Sequence, residues 1–183
     1  MDMLSDDCNE RVERGIMFKR FYPNEIAPST YSIDFHRLYQ EGYRGILFDI
    51  DNTLVEHGAD ASKEAIELFE RLKNLGFEIC LISNNKKPRV ERFNKDVNVK
   101  YIYDAHKPSR KNYRKAMELM NTNVKNTIFI GDQLFTDVYG ANRVGMRTYL
   151  VEPISPKEEI QIVLKRYLEK FVLYFYHRRN KTK

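Results

Sequence analysis

The chain has 183 residues, the size of one ordinary globular domain. Its 42% hydrophobic content, with only 8 glycines and 6 prolines, excludes disordered and fibrous classes. It carries 31 Lys+Arg against 26 Asp+Glu, and residues 86–115 alone hold 11 basic and 3 acidic side chains, a field suited to a phosphate ester, nucleic acid or anionic membrane surface.

In chain order, a polar start is followed by residues 16–44, where Pro23 and Pro28 punctuate and Ile33, Leu38 and Tyr39 predict a short helix. GILFDI (45–50) reads as a buried strand because it is short, apolar and preceded by glycine. SKEAIELFERLKNLG (62–76) places Ala65, Leu68, Phe69, Leu72 and Leu75 on one helical face, with Ser62 as N-cap and Gly76 as stop. FEICLIS (77–83) is a second strand, KPRVERFNK a short helix, VKYIY (99–103) a third strand, and SRKNYRKAMELM (109–120) a helix capped by Ser109. NTIFIGD (126–132) is the fourth strand, FTDVYGANRVG (135–145) a short helix and MRTYLVEP (146–153) the fifth strand. This alternation predicts an α/β fold, a mainly parallel five-stranded sheet with helices on both faces.

Cys8 and Cys80 form no CxxC or Cys/His cluster, which argues against a disulfide framework or zinc site. The acidic start lacks the apolar region of a signal peptide, and no apolar run approaches the ~20 residues of a membrane span. A cytoplasmic location is the expectation.

Ligands of parallel sheets bind beyond the C-terminal ends of the strands, which directs attention to the polar residues there: Asp49 and Asp51; Ser83, Asn84 and Asn85; His106 and Lys107; Asp132 and Asp137. Carboxylates gathered at one rim repel unless a cation neutralises them. Mg²⁺ suits them, as a hard ion that takes oxygen ligands. Asp49 and Asp132 supply two carboxylates from neighbouring strands, and alternation along the strand turns Asp51 towards the same cavity, with its backbone carbonyl available to the metal. An aspartate beside Mg²⁺ can attack phosphorus, a second can move protons, and Ser83 and Lys107 can hold phosphoryl oxygens.

Asp49-Ile50-Asp51-Asn52-Thr53 resembles the DxDxT signature of the haloacid dehalogenase (HAD) superfamily of phosphatases. Ser83 resembles its second motif, Lys107-Pro108 its third and GDQLFTD (131–137) its fourth. The resemblance implies a Rossmann-like three-layer sandwich, with Asp49 as nucleophile and Asp51 as acid/base. It further implies phosphate binding by Ser83, Asn84 and Lys107, Mg²⁺ at Asp49, Asp51 and Asp132, and support from Thr53 and Asp137. Asn52 stands where the usual motif has glycine, and asparagine tolerates the left-handed conformation. Only 29 residues separate Thr53 from Ser83, and 23 separate Ser83 from Lys107. Neither interval holds a large cap domain, so an open site and a bulky or surface-held substrate are expected. The lead-in FYPNEIAPSTYSID, the DIDNTLV form of the first motif and GDQLFTDVYGANRVGM are most similar to the YqeG-type branch of subclass IIIA, which includes phosphatidylglycerophosphate phosphatases. That similarity implies a lipid-phosphate substrate.

The expected organisation is one domain, 1–183, with a lead-in (1–44), a catalytic core (45–151) and a C-terminal amphipathic helix (157–177). That helix presents Ile160, Val163, Leu164, Tyr167, Leu168 and Phe171 on one face, either packed on the sheet or lying on a membrane surface with Arg178, Arg179, Lys181 and Lys183 behind it. Two other function classes stand beside the phosphatase. One is an RNA- or ribonucleoprotein-binding module that uses the basic run and keeps a vestigial site. The other is a response-regulator receiver, which has no need of Asp51.

Overall fold

In the computed structural model, described at residues 19–155, 168–174, 176 and 178, the alternating pattern resolves into a parallel sheet. Its strands are β1 (Glu25–Ala27), β2 (Gly45–Phe48), β3 (Glu78–Ile82), β4 (Lys100–Ile102), β5 (Thr127–Gly131) and β6 (Arg147–Val151), in the order β1-β6-β5-β2-β3-β4. The central strands β2 and β5 are buried along their whole length, as expected of unbroken apolar runs covered by helices on both faces.

The sheet has six strands where the sequence pattern predicts five. The additional strand, β1, lies in the lead-in and pairs with β6, Ile26 opposite Leu150. Three residues are too few to show a period of two. What fixes this strand is a side-chain clip that no periodicity records: Asn24 N–H donates to Thr148 Oγ1 (3.1 Å) and Thr148 N–H to Asn24 Oδ1 (2.9 Å).

Alternation along each strand sorts the core into two layers. Ile46, Phe48 and Ile50 face α1 (Phe35–Gln40), α2 (Lys63–Leu75) and α3 (Lys87–Val97), meeting Phe35, Leu38, Leu68, Phe69, Leu72 and Phe93. Leu47 and Phe129 face the other way, onto Tyr113, Ala116 and Met120 of α4 (Arg110–Met120) and Ala141 of α5 (Tyr139–Asn142). The ends of α2 follow local rules: Ser62 Oγ accepts from Ala65 N–H (3.1 Å), and Gly76 ends the helix at φ +93°, a conformation that costs glycine little. Ser109 occupies the N-cap of α4 but makes no capping bond through its side chain. The short helix expected at 135–145 is instead a π-helical turn, Leu134–Val138, followed by α5.

A third apolar cluster joins residues 21–22 and 172–173 to this turn. Leu134, Val138, Leu150 and Val172 are buried together, with Phe21, Tyr22, Phe135 and Leu173 packed around them. Residues 168–174 are helical. Of the C-terminal face expected to pack, Ile160, Val163, Leu164 and Tyr167 lie outside the described residues. Leu168 and Phe171 are 58% and 61% exposed, while Glu169 and Val172 are 5% exposed. Within 168–174, Glu169 and Val172 therefore face the core, and the side of Leu168 and Phe171, which the sequence leaves to either packing or a membrane surface, does not. LEKFVLYFY is apolar almost all round, so periodicity does not choose its buried side, whereas Glu169 has a specific backbone partner. No described helix is long and apolar enough to cross a membrane.

Candidate active site

After β2 the chain adds β3 and β4 on one side; it then crosses back to place β5 on the other side of β2. Such a reversal opens a crevice at the strand ends. Phe48 pairs with Ile130, and Asp49 N–H donates to Ile130 O (3.0 Å), so Asp49 and Asp132 leave adjacent strands side by side.

Lys107 enters from the loop after β4, preceded by His106 at φ +49° and followed by a cis peptide to Pro108. Its ammonium lies 2.7 Å from Asp49 Oδ1 and 2.7 Å from Asp137 Oδ1, and all three side chains are buried. Asp49, Asp132 and Asp137 each bring a carboxylate oxygen within 4.8 Å of the others. Thr53 Oγ1 donates to Asp132 Oδ1 (3.2 Å).

Asp137 reaches this cluster through the π-helical turn. A Cβ on Gly131 would lie 2.6 Å from Asp137 Oδ2, so only glycine lets the carboxylate lie against the end of β5. The turn is held from below by Tyr113, whose hydroxyl donates to Thr136 O (2.9 Å). Gly140 makes room for that ring, since a Cβ there would meet the hydroxyl at 2.4 Å.

Asp51 sits one turn further on. Asn52 takes φ +62°, the left-handed conformation anticipated from its place in the motif. The lead-in pins this turn, with Thr30 Oγ1 donating to Thr53 O (2.7 Å) and Tyr31 OH to Leu54 O. The Asp51 carboxylate accepts from Gly58 N–H (2.8 Å), from Arg89 Nη2 (2.8 Å) and from Asn85 Nδ2. Ser83 Oγ, almost fully buried, accepts from Asn85 N–H (3.1 Å). Asn84 is exposed, and its Oδ1 accepts from Lys107 N–H (2.7 Å), so its side chain fixes the lysine loop.

The rim thus gathers Asp49, Asp51, Thr53, Ser83, Asn84, Lys107, Asp132 and Asp137. Arg89 is the contributor that motif spacing does not mark. It sits in the first turn of α3, its guanidinium between Asp51 and the face of Phe93, 5.9 Å from the ring centroid. Six of the eleven cations of the basic run have ion-pair partners within the fold: Lys86 with Asp104, Lys87 with Glu91, Arg89 with Asp51, Arg92 with Asp60, Lys100 with Glu78 and Lys107 with Asp49 and Asp137.

Burial pushes the Asp49 carboxyl up to about 7; Lys107 opposes this, while Asp137 and Asp51 add to it. Burial also works against the charge on Lys107, but Asp137 and Asp49 outweigh it and hold the ammonium protonated well above its ordinary value. One lysine therefore does not satisfy the cluster. A compact set of carboxylate oxygens, without histidine or thiol, fits a hard divalent cation such as Mg²⁺.

Residues 46–106 match the family model for haloacid dehalogenase-like hydrolases, and residues 105–153 match a HAD-hydrolase-like model. The chain is 35% identical over 159 residues to "Probable phosphatase YqeG" of Bacillus subtilis, covering 86% of this chain and 92% of that one. It is 27% identical over 158 residues to phosphatidylglycerophosphate phosphatase 1 of Arabidopsis thaliana, covering 75% of this chain and 45% of the relative. In fold it is similar to the cobalt-bound deoxy-D-mannose-octulosonate 8-phosphate phosphatase of Haemophilus influenzae, with a TM-score of 0.50 at 13% identity, covering 61% of this chain and 69% of that one.

Proposed function

Because the chain belongs to the haloacid dehalogenase-like hydrolases and is a phosphatase of that family, we propose that it hydrolyses phosphomonoesters through a phosphoryl group carried on Asp49. The observation that carries this reading is the buried constellation in which Lys107 bridges Asp49 and Asp137 at 2.7 Å each, beside Asp132. Asp49 supplies an oxygen that bonds to phosphorus as the bond to the leaving alkoxide breaks, and Asp51 gives that alkoxide its proton. Water then attacks the acyl phosphate, Asp51 takes the proton back, and inorganic phosphate leaves with Asp49 restored. Lys107 and the N–H groups after Ser83 offset charge on the phosphoryl oxygens. Asp49 and Asp132, with the Asp51 carbonyl, would hold Mg²⁺, which supplies positive charge against the carboxylates and the phosphoryl oxygens.

The substrate class we propose is an anionic lipid phosphate of the phosphatidylglycerophosphate type. Three features support it. The stretch from Thr53 to Ser83 is spent on one loop, α2 and β3, which leaves the rim uncapped and open to a headgroup held at a surface. Leu168, Phe171 and Tyr174 are exposed on the C-terminal helix, a stripe suited to peripheral contact with lipid. The Arabidopsis relative carries that activity in its name. The test is phosphate release by the purified protein with Mg²⁺ from phosphatidylglycerophosphate in vesicles, from sugar phosphates and from nucleotides. Selective release from the lipid supports the substrate class. Turnover of soluble esters alone removes it and leaves the phosphatase, and no turnover of any ester removes both.

A further inference from the structure

Tyr113 holds the segment between Asp132 and Asp137 from one side, and Glu169 holds it from another. That segment leaves β5, turns through Gln133 and becomes the π-helical turn Leu134–Val138. Its local bonds run from Asp137 N–H and Val138 N–H to Gln133 O (3.0 and 3.2 Å), from Gln133 N–H to Asp137 Oδ2 (3.1 Å) and from Thr136 Oγ1 to Gln133 Oε1 (3.1 Å). The N–H of Leu134 donates instead to Glu169 Oε1 at 2.7 Å, across 35 positions of sequence, in a buried setting. Glu169 is 5% exposed. A buried carboxylate is costly unless its hydrogen bonds are strong, so its placement against the first turn residue after the metal-site aspartate calls for an explanation.

The surroundings make this contact more than a helix cap. Val172, one turn along from Glu169, is buried against Leu134, Val138 and Leu150, and Leu173 packs beside it. From the other end of the chain, Phe21 stacks on Tyr139 (centroids 4.4 Å apart) and meets Phe135 edge-on (5.4 Å). Asn142 Nδ2 donates to Arg20 O and Tyr22 O. Residues 20–22 and 169–173 therefore close over one side of the segment that carries Asp132 and Asp137.

We propose that Glu169 is a positioning residue for the phosphatase site: through the Leu134 amide, the C-terminal helix sets the placement of Asp132 and Asp137. This rests on the proposed role of those two aspartates, and its consequence is that the helix belongs to the working site although no residue of it touches the reacting atoms. Outer partners of this kind typically govern ~10–100-fold in metal affinity or activity.

The test compares full-length wild type, Glu169→Ala, Glu169→Gln and, as a packing control, Val172→Ala. Amide exchange is read first, without metal. Glu169→Ala is expected to speed exchange across 132–138 selectively, leaving β2 and β5 protected. Calorimetric titration with Mg²⁺ then shows weaker binding by ~10-fold or more, and kcat falls in step while KM for the ester stays within a factor of about three. Glu169→Gln, which keeps an oxygen for the Leu134 amide, recovers most of both. Val172→Ala, which loosens packing on the same turn but keeps the carboxylate, lowers Tm with a smaller change in exchange at 132–138 than Glu169→Ala. The proposal is overturned if folded Glu169→Ala matches wild type within twofold in exchange at 132–138 and Mg²⁺ affinity, or if Gln fails as completely as Ala. Exchange and calorimetry judge it even where no ester is turned over, an outcome that would fall on the proposed function alone.

Discussion

Replacing Lys107 with methionine keeps the bulk of the side chain and removes the ammonium that stands 2.7 Å from both Asp49 and Asp137. Breaking a buried ion pair by removing one partner typically costs about 3–5 kcal/mol, and here one cation serves two buried carboxylates. The cost should depend on pH. The folded-state pKa of Asp49 already lies near 7 against an ordinary 3.8, so folding binds a proton there and this group's contribution to stability is greatest below about pH 4. It falls as pH rises towards the folded pKa. Without Lys107 to oppose it, that pKa rises further, so the variant's deficit grows with pH. Urea unfolding of the metal-free proteins at pH 5 and pH 8 measures it: a deficit of about 3–5 kcal/mol, larger at pH 8 than at pH 5 by up to about 1.4 kcal/mol because the two Asp49 titrations separate only above pH 7, and partial recovery when Mg²⁺ is added. A deficit of under ~1 kcal/mol, of the size seen for surface pairs, or one that does not change with pH, would refute the electrostatic account.

Asp49→Asn should abolish ester hydrolysis yet stabilise the metal-free protein by roughly 1–2 kcal/mol at pH 8, because it removes a buried charge; urea unfolding and a phosphate-release assay report the two effects separately. Gly131→Ala places a Cβ 2.6 Å from Asp137 Oδ2, so it should cost about 1–3 kcal/mol and depress kcat in a protein whose circular dichroism is unchanged. Mg²⁺ at ~100 times its Kd should stabilise the native state by about 2.7 kcal/mol. Asp132→Asn should remove most of that gain, and a full gain in the variant would place the ion elsewhere.

The central strands and the rim residues were legible because two independent patterns converge on them: buried apolar runs, and polar residues at the ends of those runs. Asn52 was legible for a conformational reason, since its φ of +62° is one that asparagine accepts. Other parts depend on contacts between segments distant in sequence, which no local period encodes. β1 is fixed by Asn24 meeting Thr148, Arg89 by its reach to Asp51 across 38 positions, and Glu169 by its reach to Leu134. The π-helical turn was read as ordinary helix because its departure follows from the space at Gly131 and the Tyr113 hydroxyl beneath it. The C-terminal helix shows the limit most directly, since an aromatic segment apolar on nearly all sides does not declare its buried face.

Strand register is usually enforced by the cost of turning an apolar face to water, but β2 and β5 are apolar on both faces and buried throughout. Sliding one past the other by a residue would exchange apolar neighbours for apolar neighbours, with little penalty along most of the strand. The charges at the rim change that balance. A slip would carry Asp49 away from Lys107 and leave buried carboxylates without their cation. The residues proposed to handle phosphate thereby also tell the two central strands where to stop, so a variant that neutralises Asp49 loses a safeguard against mispairing along with its proposed chemistry.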